Sequence, residues 1–517
     1  MNRNFKIIGC LVVAWDTLYL SWLAFHVTGL GFILLFAEIL IASLTYLLIL
    51  NHWGQNHTFA HPGRAHGSVD IYIPTVNEPL EMVETTVQAA ALINYDQKAI
   101  YLLDDGPRPE IKDLADKYGI GYFARGNRKD NKAGNLNYAL VRTRGDYVLV
   151  IDADHIANPH IISDLLGHFN EDPKIAIVAT RQAYLVPEGD FNHDVLFYQH
   201  MMAGKHEDNA SISCGNAAFY RREALRNING FQTWNLVEDL YTSYVLHTKG
   251  FRTVYVNEPY TYGTAPLDLA AIYQQRGTWA LDTLRMVFWH SPLFTRGLSM
   301  WQRLHYIEIG YSYIVAAIAM PIVFFLPAFA VLQNDPVVTD PVLYLLLRIP
   351  SLLAILYFYY RLSDRSVHQM QFWASLWPVY LKSMLLALAG IKVPYRVTRK
   401  ISVGKRHILQ VFPHIALILF SVSVIIWRVF YVDDGLNAFT AINLMWMLLM
   451  AFWFYPIIIR GFSKIDQEKE WELAKSHLSN KHPHLFTKHS PRIKDLKIPA
   501  PPMNLPIGMP SPDTSNS

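Results

Sequence analysis

Cysteine and charge are what this sequence has least of. Two cysteines stand among 517 residues, Cys10 in a long apolar run and Cys214 in a predicted loop. A structural disulfide is therefore not expected, and a cysteine metal site lacks partners. Charged residues make up 17% and hydrophobic ones 52%, too apolar for an ordinary soluble protein. The net charge of +3 is small. No basic patch interleaved with aromatics occurs in the polar half, so no nucleic acid partner is expected. No internal repeat is evident.

What is present is unevenly spread. A spanning helix needs about 20 mostly apolar residues, and 7–25, 29–50, 306–332, 341–361, 412–432 and 438–459 qualify. The turns 26–28, 333–340 and 433–437 contain no Lys or Arg. Arg3, Lys6, Arg361, Arg365, the cluster from Lys392 to Arg406, Arg460 and Lys464 lie at the opposite ends, which the positive-inside rule assigns to the cytosol. Both ends of 369–391 then fall in the cytosol, so this segment, with Pro378 and Lys382, is expected to lie in the interface. The stretch 293–303 is expected to do the same. The first run lacks a small-residue cleavage site and a second follows at once, so it reads as an anchor.

The expected plan is two spanning helices over 1–50, a cytosolic domain over 51–290, interfacial plus about four spanning helices over 291–464, and a tail over 465–517. That tail is charged, then Pro/Ser-rich, and reads as largely disordered. Arg348 and Arg428 fall inside spans, where charge usually faces a polar path, although Arg428 is near enough to an end to snorkel. Trp373, Trp377, Tyr380, Trp427, Trp446 and Trp453 would line such a path or form an aromatic belt.

In the central stretch, VDIYIP (69–74), KAIYLL (98–103) and DYVLVI (146–151) are short apolar runs alternating with helical stretches such as 80–92. That alternation predicts a parallel, doubly wound sheet. Ligands bind such sheets outside the carboxyl ends of the strands. Asp104-Asp105-Gly106 and Asp152-Ala153-Asp154 follow two of these strands and would share one crevice. Asp152 and Asp154 can hold a divalent cation that also takes diphosphate oxygens; an acidic turn is the plain alternative. Asp-Gly alone is a favoured turn pair, but the apolar strand before it fits a solvated hairpin badly. Lys132-Ala133-Gly134-Asn135 opens a helix after a basic loop, where a lysine can meet a diphosphate or simply be solvated.

Together these motifs resemble the processive family 2 glycosyltransferases, bacterial cellulose synthase catalytic subunits among them. VDIYIPTVNEP, YLLDDG, KAGNLN, IDADH, SCGNAAFYRREAL, VEDL and QQRGTW occur in the family's order and approximate spacing. The resemblance implies an α/β GT-A-type nucleotide-sugar-binding domain, a doubly wound mixed sheet, inserted between transmembrane helices. It implies that Thr75, Glu78 and Asp105 or Asp104 hold the uridine end of a UDP-sugar and that Lys132 touches the diphosphate. Asp152 and Asp154 would hold Mg²⁺ or Mn²⁺, with Asp154 the direct ligand. Asp239, beside Glu238, would be the general base, Gln275 would meet the pyrophosphate, and Cys214, Gly215 and Trp279 would meet the acceptor. Val393–Lys400 would be a gating loop.

Three positions depart from the pattern. Thr278 stands where the Q-x-x-R-W motif has arginine, removing a cation from the diphosphate side. Arg276 is near in sequence, but on a helix it points about 200° away from Thr278. Val76 replaces an aromatic or His, which weakens uracil stacking, and Val237 replaces the threonine of TED, leaving both carboxylates.

The activity this implies is inverting transfer from a UDP-hexose, UDP-glucose foremost, to a growing β-linked glycan such as cellulose, with export through the protein's own helices. The setting would be the inner (plasma) membrane, multi-pass, with the catalytic domain in the cytoplasm. The lipid bilayer and accessory export or regulatory subunits would be the further partners. Any cyclic-di-GMP sensor would sit on another chain. A non-processive enzyme adding one sugar to a lipid acceptor is the alternative, and a degenerate binding subunit a third.

Overall fold

The computed structural model describes residues 3–53, 63, 64, 66–187, 189–394, 398, 405–432, 435 and 437–464. Eight strands form the central sheet: β1 (Val69–Thr75), β2 (Lys98–Asp104), β3 (Gly121–Ala124), β4 (Tyr147–Val150), β5 (His155–Ala157), β6 (Ile175–Tyr184), β7 (Ala218–Arg221) and β8 (Arg252–Gly263). Their order is β3-β2-β1-β4-β7-β6-β8-β5. The expected parallel winding holds for β3-β2-β1-β4. Beyond β4 the sheet turns mixed, with β7 antiparallel to β4 and β6, and β5 antiparallel to β8. Helices lie between these later strands too, Glu238–Thr248 running from β7 toward β8, so the αβ alternation by itself could not predict their direction.

Strand alternation supplies both faces with core. Val69, Ile71 and Ile73 pack into one cluster and Tyr72 into the other, as the period of two requires. Each such burial is worth about 1.5–3 kcal/mol. Beneath the sheet, Arg222 pairs with Asp70 at 2.5 Å and donates to Leu140 O at 2.7 Å and Thr143 O at 3.1 Å. This buried cation ties the start of β1 to the helix after β7.

Among the described residues, six helices are long and apolar enough to cross a membrane: Phe5–His26, Gly31–Trp53, Met300–Gln333, Pro341–Leu362, Ile408–Tyr431 and Ala438–Phe462. Two of the Lys/Arg-free turns interlock at one end. Leu30 N–H donates to Asp335 Oδ2 at 2.8 Å and Thr339 N–H to His26 O at 2.9 Å. Arg428 does not snorkel; it is buried and donates to Asn334 Oδ1 at 2.8 Å. Basic residues gather at the other end, where Lys6 lies over the Trp53 ring, Arg361 over Phe5, and Arg460 donates to Leu267 O of the sheet domain.

The segment 369–391 is two short helices, Val367–Ser375 and Trp377–Leu388, broken at Leu376, so no single span forms. By contrast, 293–303 is no surface helix. It is a turn followed by the Ser299 capping box and the first turn of Met300–Gln333, because Ser299 and Gln302 satisfy each other's backbone N–H groups. Helix Trp377–Leu388 packs on the sheet domain's last helix, Leu269–Trp289. Ser383 Oγ donates to Gly277 O at 3.1 Å and Trp289 Nε1 to Ala387 O at 2.7 Å. A Cβ at Gly277 would stand 3.3 Å from Val379, so glycine there lets the two helices approach.

Candidate active site

A cleft of about 910 Å³ opens at the carboxyl ends of β1, β2 and β4. At the β1 end, Glu78 Oε2 accepts from Thr75 Oγ1 and Val76 N–H, both at 2.7 Å, and from Asn77 N–H at 3.1 Å. Glu78 thus fixes the turn that carries Thr75 into the cleft. Asp105 lines the wall in an ion pair with buried Arg125; burial raises its carboxyl pKa and Arg125 opposes the rise.

Asp104 does not reach the cleft. It is fully buried and accepts from Gly106 N–H at 3.2 Å, Arg108 N–H at 3.0 Å and Tyr122 OH at 3.1 Å. Side chains alternate across a strand end, so only one of the two aspartates can face a ligand there. Asp104 is a strut under the loop.

Ligand atoms of Asp152, Asp154 and His155 lie within 4.8 Å of one another. Two carboxylates and an imidazole suit a hard or borderline divalent cation. Asn216 organises this corner: its Oδ1 accepts from Asp152 N–H at 3.0 Å, and its Nδ2 meets His155 Nδ1 at 2.9 Å, Gln182 Oε1 at 3.0 Å and Thr261 Oγ1 at 2.8 Å. Because the amide oxygen is committed to a backbone N–H, the amide nitrogen donates and His155 Nδ1 accepts. His155, directly after Asp154, supports the metal-site reading from sequence, whereas Asn216 sits inside a matched motif without being singled out.

Lys132 lies in the first turn of helix Asn131–Leu140, where the helix dipole disfavours a cation. Acidic neighbours hold it there: Nζ is 2.6 Å from Asp152 Oδ1 and 3.6 Å from Glu238 Oε1, and it donates to Gly215 O at 2.7 Å. Burial alone would lower its pKa, but Asp152, Glu238 and Asp239 outweigh burial and raise it.

Glu238 and Asp239 open helix Glu238–Thr248, the end a dipole offers to carboxylates. Asp239 Oδ1 accepts from Leu240 N–H at 2.8 Å. Burial, then the Glu238 charge, push the Asp239 carboxyl up to about 7, with Lys132 pulling the other way. Gly215, at φ +73°, makes room, since a Cβ there would stand 2.8 Å from Asp239 Oδ2 and 3.3 Å from Lys132 Nζ.

Helix Leu269–Trp289 divides two spaces. Gln275, Thr278 and Trp279 line the cleft, as do Cys214 and Gly215. Cys214 and Cys10 are both free thiols. Thr278 Oγ1 turns back to Gln274 O at 2.9 Å. Arg276 faces away, in an ion pair with Asp194 and 4.8 Å over the Trp279 ring, so it does not supply the cation that Thr278 removes. It lines a second cavity of about 240 Å³, which extends among the apolar helices to Pro336, Val337 and Phe439. Trp373, Tyr380, Trp446 and Trp453 line that cavity; Trp377 and Trp427 are not among its walls. Most of Val393–Lys400 lies outside the described residues, but Thr398 lines the cleft.

Residues 70–228 match the family model for glycosyl transferase family 2, and 230–460 match that for cellulose synthase. Together the two matches give the chain a family 2 glycosyltransferase domain followed by a cellulose synthase domain. The chain is 36% identical over 253 residues to a UDP-forming cellulose synthase catalytic subunit of Xanthomonas axonopodis pv. citri (strain 306), covering 47% of this chain and 35% of that protein. It is 34% identical over 301 residues to cellulose synthase 1 of Komagataeibacter xylinus, covering 55% and 19% respectively. The chain thus spans about a third or less of these relatives' length. The mannosyltransferase PcManGT of Pyrobaculum calidifontis, solved with GDP-Man and Mn²⁺, aligns over 70% of this chain and 100% of its own. The TM-score is 0.54 at 17% identity, a likeness in fold that makes the sheet domain GT-A-like.

Proposed function

We propose that the chain is a membrane-embedded inverting glycosyltransferase. It polymerises a β-linked glycan from a UDP-hexose, UDP-glucose first among candidates, and passes the product through its own helices. The observation that carries this reading is the division made by helix Leu269–Trp289. One turn of it faces the acidic cleft through Gln275, Thr278 and Trp279, and the membrane cavity through Arg276. A chain growing against Trp279 has the second cavity directly behind it.

In this reading Thr75, Glu78 and Asp105 shape the uridine end, and Lys132 and Gln275 meet the diphosphate. Asp152, Asp154 and His155 would hold Mg²⁺ or Mn²⁺, which when bound offsets charge on the departing UDP. The Asp239 carboxylate takes the proton from the acceptor hydroxyl as its oxygen bonds to the anomeric carbon. The bond to the diphosphate breaks with its electrons leaving on UDP, so one displacement inverts the centre. Asp239, held near 7, is a stronger base than an ordinary carboxylate and is still about half ionised at neutrality. Trp279 offers a flat apolar face to the acceptor ring. The sheet domain and the basic helix ends lie on the cytosolic side, and the membrane is the inner one.

The test is incubation of the protein in nanodiscs with Mg²⁺ or Mn²⁺ and a panel of UDP-sugars, followed by product sizing. Much of the membrane cavity is aliphatic, with Leu34, Ile41, Leu44 and Val323 in its wall. That lining favours a second reading, one sugar added to a lipid acceptor, and a single-sugar glycolipid would establish it.

A further inference from the structure

Helix Glu238–Thr248, which carries the proposed base, lacks an ordinary start. Its N-cap residue is Val237, whose side chain makes no cap to the first turn. Ser, Thr, Asp or Asn would normally supply an oxygen at that position. The backbone just upstream is fixed instead. Leu236 N–H donates to Asp282 Oδ2, Val237 N–H donates to Asn235 Oδ1 at 2.9 Å, and Asn235 Nδ2 donates to Asp282 O at 2.9 Å. Asn235 and Asp282 are both buried.

Asp282 belongs to helix Leu269–Trp289. It stands three residues beyond Trp279, and residues at that spacing are neighbours on a helix surface. Trp279 lines the cleft, as do Leu236, Val237, Glu238 and Asp239. The Asp282 carboxylate divides its oxygens: Oδ1 takes Arg285 Nη1 at 2.8 Å, and Oδ2 takes the Leu236 backbone. An ion pair within one helix needs no such second partner. Arg285 in turn lies 4.9 Å over the Trp234 ring, and Trp234 stacks on His290 at 3.8 Å. One helix end therefore grips residues 234–237, immediately before the two carboxylates.

We infer that Asp282, together with Asn235, is a positioning residue that fixes the Asp239 carboxylate relative to the acceptor face of Trp279; the inference rests on the reading of Asp239 as the base. Leu236 stands three residues ahead of Asp239, so a shift at its N–H moves the uncapped first turn and the carboxylate on it. Trp279 and Asp282 sit one turn apart on a single helix. The base and the acceptor face thereby share one frame, and the spacing between them does not depend on a cap within the base's own helix.

The experiment measures kcat and KM for UDP release in nanodiscs, per UDP-binding site, in two double variants. Arg285→Met is common to both, so neither holds the ion pair, and replacing a buried pair by apolar side chains is often neutral for stability. Asp282→Asn/Arg285→Met keeps an acceptor oxygen for Leu236 N–H, whereas Asp282→Leu/Arg285→Met has none. Misplacement by about 1 Å costs around 100-fold in rate, so the leucine variant should lose at least about tenfold in kcat. Its KM for the donor and its UDP affinity should stay within about twofold, and the asparagine variant should keep kcat within about threefold. Equal kcat in two variants that both bind UDP overturns the positioning role. If the leucine variant does not bind UDP, Asn235→Ala cuts the neighbouring link and should show the same split; wild-type kcat in that variant overturns the role likewise. Asp239→Asn is the control on the base reading. Undiminished transfer there defeats that reading and the inference with it, while a dead Asp239→Asn beside two equal double variants defeats the inference alone.

Discussion

Gly215→Ala should damage catalysis far more than folding. Gly215 has φ +73°, and its missing Cβ would lie 2.8 Å from Asp239 Oδ2. Left-handed backbone costs a non-glycine residue about 1–2 kcal/mol, which corresponds to roughly 2–8 °C in Tm for a domain of this size. The contact must also push the Asp239 carboxylate by several tenths of an ångström. Misplacement of about 1 Å costs around 100-fold in rate, so UDP release driven by acceptor transfer should fall about 10–100-fold. Gly215→Asn separates the two effects, because asparagine tolerates the left-handed region yet carries the Cβ. Its Tm should recover while its turnover stays low. Wild-type turnover in Gly215→Asn would refute the claim that Asp239 is the base and is held against this glycine.

Asp239→Asn should lower transfer by about 100-fold or more while UDP affinity, by calorimetry, changes little. The pH profile should show the same group. A base active when deprotonated, with its carboxyl near 7, gives a rate that climbs through neutrality and levels above it. The same raised value means that stability falls as pH rises from 3.8 toward about 7, because the folded state keeps a proton the unfolded state has released. Asp154→Ala should abolish the Mn²⁺-dependent part of UDP binding, read by titration with and without chelator. Thr278→Arg should tighten UDP binding by up to about tenfold, roughly 1.4 kcal/mol, since Thr278 lines the cleft with no charge; unchanged affinity would mean this position does not address the diphosphate.

Local signals made much of the protein legible. Apolar runs of spanning length marked all six helices, and Lys/Arg-free turns sorted their ends, because both depend on short stretches of sequence. Strands ending in Asp105 and Asp152 located the cleft by the same logic. What stayed hidden was pairing across long separations. Sequence marked Arg348 as an intramembrane charge but not Glu38, 310 positions away, as its partner. It marked Asp104 and Asp105 together, while the pleat decides that one is a strut and one a wall. Asn216 gains its role from a backbone N–H on Asp152, which no residue type announces. The family resemblance implied the mixed sheet that is found, but the αβ alternation alone did not, since strand direction there is set by neighbours and not by the strands' own composition.

The most direct test of the account is product size from the nanodisc-held protein supplied with Mg²⁺ or Mn²⁺ and each UDP-hexose in turn. The account predicts a high-molecular-weight, β-glycosidase-sensitive polymer from one donor, absent in Asp239→Asn. A product carrying a single sugar, or a polymer that persists undiminished in Asp239→Asn, would contradict it.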